Sequence, residues 1–144
     1  MNPVAGVRSM GREQRQFDYF LVSYVPALLD EDEYIFAVLG FERVNNEPAR
    51  AVARFDDIVG GPYEFDAAAD IDFLLEFRRD VEQQFRDRTT AEHFLQLMLD
   101  GFSNTIRISG PISVALIDDL DKEMDEICEK HFVSNRRANL RIAI

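Results

Sequence analysis

The stretch YIFAVLGFERVNNEPARAVARF (Tyr34–Phe55) decides the fold class. Two runs rich in apolar residues flank a short polar segment, Val44–Pro48. The first run, Tyr34–Phe41, reads as a strand because aromatic and branched side chains suit a pleated surface. The second, Ala49–Phe55, alternates. Arg50, Val52 and Arg54 share one side, and Ala49, Ala51, Ala53 and Phe55 share the other. Asn45 and Asn46 tolerate the positive φ angles of a tight hairpin, so the two runs pair antiparallel. The alanine side suits close packing under a helix. Arg50 and Arg54 then lie on the open side, as solvated partners for acids or as a site for an anion.

Upstream, FDYFLVSYVP (Phe17–Pro26) is a further strand that stops at proline. It is apolar on both parities, which places it centrally in the sheet. The acidic segment ALLDEDE turns the chain into Tyr34, and the three strands form an antiparallel meander. Residues 1–16 have no period and read as a flexible basic lead.

Downstream, DDIVGGPYEFD is a loop, with neither a lysine and serine at Walker spacing nor a G-x-G-x-x-G run. Asp70 caps a helix to about Arg86 that buries Ile71, Leu74, Leu75, Val81 and Phe85, with Arg78 at the edge of the stripe. Thr89–Glu92 has capping-box spacing and opens a second helix to Asp100, burying Phe94, Leu95, Leu97, Met98 and Leu99. Gly101 is placed to stop it. A strand, Asn104–Ser109, ends at Gly110-Pro111, and Ile112, Val114 and Leu116 suit another short strand. Asp118 or Asp119 caps a third helix with Leu120, Met124, Ile127, Cys128 and His131 on its stripe, and His131 at its end. The tail RANLRIAI alternates as an edge strand would. These elements predict one α+β domain over residues 17–133, followed by a basic tail, 134–144. Its core is an antiparallel sheet of four to six strands with two or three helices mainly on one face.

The length of 144 residues fits one domain with an adequate core. Twelve Phe and no Trp argue for rings used as core rather than as a polar cage. A single cysteine, Cys128, excludes an internal disulfide and suits a reducing cytoplasm. No apolar run approaches the roughly 18 residues that span a bilayer, so no membrane partner is expected. The net charge is −11; residues 1–16 balance to +2 and the tail from Ser134 to +3, which leaves −16 on the body. A body of that sign repels phosphate backbones and disfavours direct binding of duplex DNA.

The search for chemistry is short. His93, His131 and Cys128 form no metal-ligand spacing, and no G-x-S-x-G elbow is present. No metal and no cofactor is expected. Acid neighbours and burial raise a thiol pKa, so Cys128 is a poor nucleophile. Within DDLDKEMDEICEK (Asp118–Lys130), Asp118, Asp121 and Asp125 share a helical face, with Glu126 beside them. That face reads as solvated, or as an acidic surface for a protein partner. In the strand, Thr105, Arg107 and Ser109 share a side opposite Asn104, Ile106 and Ile108. Such a strip of donors is either a wet face or an anion cradle.

Three local matches carry a resemblance to the bacterial family named domain of unknown function 3037. They are the first strand ending in Tyr24-Val25-Pro26, the acidic turn into the strand Glu33–Leu39, and Asn104–Ser109 followed by Pro111 and an acidic helix. Together they cover about Phe17 to Phe132. The family carries an asparagine and a glycine in its second strand, where this chain has Phe36 and Val38. The family has no assigned activity. Its members are often encoded beside HipA-like kinases, so the resemblance implies work in a protein complex, within a kinase or toxin–antitoxin type of operon. It also implies a role for Asn104 and Arg107.

Three functional classes follow. The first is a non-catalytic accessory protein whose acidic surface (Asp118, Asp121, Asp125, Glu126) binds a protein partner. The second is an enzyme or small-anion sensor centred on Arg107, with Asn104, Arg50 and Arg54. The third is an inhibitor that mimics nucleic-acid charge. The sequence favours the first and argues against an enzyme.

Overall fold

The computed structural model describes residues 14–25, 34–57, 62, 69–100 and 105–143, with side chains as far as Phe132. Four strands and three helices occupy these residues: β1 Arg15–Tyr24, β2 Tyr34–Val44, β3 Glu47–Phe55, α1 Ile71–Gln84, α2 Arg88–Asp100, β4 Ile106–Ala115 and α3 Leu120–Ala143. The fold is α+β. The strands form one antiparallel sheet in the order β3-β2-β1-β4. The meander therefore holds, and β1 lies inside the sheet.

The hairpin is the tightest its sequence allows. Val44 pairs with Glu47, and Asn45 and Asn46 alone make the turn with φ of 52° and 68°. Both angles are left-handed, where asparagine is tolerated best among residues with a Cβ. Gln14 clamps the turn: its N–H donates to Asn45 Oδ1 at 3.1 Å, and its carbonyl accepts from Asn45 N at 2.7 Å. Arg15 and Gln16, read as part of the basic lead, belong to β1; residues 1–13 lie outside the described residues.

Because β1 and β2 are apolar on both parities, the sheet needs cover on both faces. Phe20, Val22, Tyr24, Phe36, Leu39 and Phe41 pack on one face against Leu74 and Val81 of α1, Phe85 at its C-cap, and Ala91 and Leu95 of α2. Phe17, Tyr19 and Val38 pack on the other against Leu116 and against Leu120, Met124, Ile127 and Phe132 of α3. Phe36 and Ala37 both serve the first face because the register slips there. Val22 pairs with Ala37 and Ser23 with Ile35, so two residues oppose one step of β1. Phenylalanine is core material, as expected: Phe36, Phe55 and Phe77 sit with centroids 6.0–6.3 Å apart. Ala51 and Ala53 lie under the α1–α2 layer, as their small size predicts. Arg78 lies at the edge of the stripe, 5.6 Å from the Phe55 centroid.

Several expectations need correction. The side of β3 carrying Arg50 and Arg54 stays largely exposed, as expected, but α3 packs over the adjoining β2 and its Asp121 and Asp125 pair with these arginines. The tail is not an edge strand: α3 is helical for 24 residues through Ala143, and no break falls at residue 133. Eight alternating residues fit both periods, and Arg, Ala and Leu continue an existing helix readily when no Gly or Pro intervenes. His131 is therefore inside a helix, not at its end. β4 does not stop at Gly110-Pro111. It runs on to Ala115 through a cis Gly110–Pro111 bond and a register slip between Tyr19 and Leu21. Proline is tolerated because β4 is an edge strand, and Gly110 adopts φ 128°, where a Cβ would lie 2.9 Å from Tyr19 O.

At the helix starts, Asp70 caps α1 by accepting from Phe73 N at 3.1 Å. Asp119 caps α3 by accepting from Lys122 N at 2.8 Å. Asp87, not Thr89, caps α2, accepting from Thr90 N at 3.2 Å. Leu75, Leu97 and Leu99 are exposed rather than buried, because a single sheet-facing stripe leaves them off the contact. Gly101 lies outside the described residues. Among the described residues, no helix is long and apolar enough to cross a membrane.

Candidate functional site

The arginines of β3 and the acids of α3, read separately in the sequence, meet across the second face of the sheet. Even-numbered residues of β3 point toward α3. Residues four apart on a helix share a face, so Asp121 and Asp125 point back. Arg54 Nη1 donates to Asp125 Oδ1 at 2.6 Å, and Arg54 Nη2 lies 3.5 Å from Asp121 Oδ1. Arg50 Nη2 reaches the same Asp121 oxygen at 3.5 Å. The hydrogen bond that Arg54 donates to Asp125 holds its guanidinium still more firmly protonated than usual. All four side chains remain substantially exposed, so each pair contributes about 0.2–1 kcal/mol. They link the edge strand β3 to a helix that packs on β2.

This pairing divides the four acids of the expected partner surface. Asp121 and Asp125 are turned to the arginines. Asp118 lies 3.5 Å from Lys122 on the helix's first turn, and Glu126 is exposed on the outer side. Cys128, one turn beyond Asp125, packs at the edge of the second core. Burial pushes its thiol up to about 11, and the neighbouring Arg54 only partly opposes this. That agrees with its reading as a poor nucleophile. An open groove of about 370 Å³ follows the outer edge of β3 from Arg50 to Arg54, with Glu82, Phe85 and Asp121 along its walls.

Arg107 is elsewhere. It is exposed on β4, opposite Ser23 of β1. Arg50 and Arg54 lie on the other edge strand, three strand spacings away, or roughly 14 Å. The fold does not bring these arginines into one cradle. Asn104 lies outside the described residues. His93 is exposed on α2. His131 faces the Tyr19 ring at 6.5 Å, and its Nε2 is buried without a hydrogen-bond partner. Burial pulls its pKa down, and Lys130 adds to that. Among the described residues, no three of His, Cys, Asp and Glu stand close enough to hold a metal ion.

One polar cluster was not singled out in the sequence. Asp18 accepts from Gln16 Nε2 at 2.7 Å, from Ser113 Oγ at 2.7 Å and from Arg43 Nε at 2.9 Å. Burial pushes its carboxyl up, but these hydrogen bonds and the Arg43 charge outweigh it and hold the pKa below the usual value. The cluster ties β1 to both of its neighbours. The available signal was Asp18 itself, the only charge within Phe17–Tyr24. Beside it, Arg15 Nε donates to Glu42 Oε2 at 3.0 Å, and Arg15 Nη1 to the carbonyl of Asp118 at 3.4 Å.

Comparison with family models, with curated proteins and with solved structures finds no match.

Proposed function

We propose that this chain is a non-catalytic accessory protein of the bacterial cytoplasm that binds a basic protein partner through the outer side of α3. One observation supports the reading above others: the acids of α3 are sorted. Asp121 and Asp125 pair with Arg50 and Arg54 yet stay exposed, Asp118 and Asp119 are engaged by Lys122 at the helix start, and Glu126 and Glu129 face solvent. An oriented, solvent-facing row of carboxylates steers a basic surface and adds to specificity. The body charge of −16 extends that field beyond the helix. The resemblance to a family encoded beside HipA-like kinases supports a protein complex as its setting.

The test has two stages. A tagged pull-down from the native host at low salt names the partner. Affinity is then measured at roughly 50 and 500 mM salt, for wild type and for Glu126→Lys/Glu129→Lys. The reading requires one stoichiometric protein whose affinity falls with salt and with charge reversal. Affinity indifferent to both, or the lack of any stoichiometric partner, overturns it. A partner that itself binds nucleic acid would identify the charge-mimic form of the same reading.

A further inference from the structure

We draw no further inference here: the strongest candidate, the open groove along the outer edge of β3, is lined by Arg50 and Arg54, which already pair with Asp121 and Asp125, and nothing in the structure shows what covers it.

Discussion

Replacing Gly40 with alanine tests how the second core is built. Gly40 sits in β2 opposite Tyr19, and the ring of Phe17 lies across it. A Cβ at this position would run into Phe17 Cζ and Cε1. The ring is fully buried and stacks on Tyr19 at 5.7 Å, so it has little room to yield. At an unobstructed strand position, Gly→Ala stabilises by about 0.4–1 kcal/mol through the unfolded chain. Forcing a methyl into a filled core costs about 1–3 kcal/mol. The expected net loss is roughly 1–2 kcal/mol, or a fall in Tm of roughly 3–5 °C per kcal/mol at this length. Phe17→Leu alone opens a void and costs roughly 1–2 kcal/mol. If the ring is the obstacle, the double variant recovers part of both losses, with a coupling of about 1 kcal/mol. Urea denaturation followed by circular dichroism measures all four proteins. Strict additivity, or a Gly40→Ala protein as stable as wild type, would refute the reasoning.

Three further outcomes are expected. Asp119→Ala removes the cap of α3 and should cost about 1 kcal/mol, measured as a shift in urea midpoint; Asp118→Ala at the neighbouring position should cost less. With the Cys128 thiol pushed up to about 11 from an ordinary 9.0, iodoacetamide should label the native protein at about pH 8 roughly a hundredfold more slowly than the urea-unfolded one, and equal rates by mass spectrometry would count against its buried position. His131 has a folded pKa below the unfolded 6.5, so the unfolded chain takes up its proton first as pH falls. Its contribution is complete above the unfolded value and is lost as pH drops from there toward the folded one. Wild type should therefore lose stability relative to His131→Phe between about pH 7.5 and 5.5, and parallel urea midpoints across that window would remove the idea.

Much of the fold follows from interactions that span only a few residues. Asn45-Asn46 specifies the hairpin because few other residue pairs tolerate two successive positive φ angles. Asp70 and Asp119 start their helices through bonds made three residues away. The twofold-apolar pattern of Phe17–Pro26 places β1 inside the sheet. Other features depend on contacts between distant parts of the chain. Arg54 finds Asp121 and Asp125 across 67 and 71 residues of chain, and neither partner announces the other in the sequence. Gly110 lets β4 cross Pro111 because it meets Tyr19 and Phe20, not because of anything beside it in the chain. The tail RANLRIAI satisfies both periods, and the helix it extends decides between them. Local propensity and periodicity thus specify the elements. Which face of the sheet receives α3, and which acids meet Arg50 and Arg54, depend on how those elements pack, because charge pairing and burial act between surfaces that exist only after assembly.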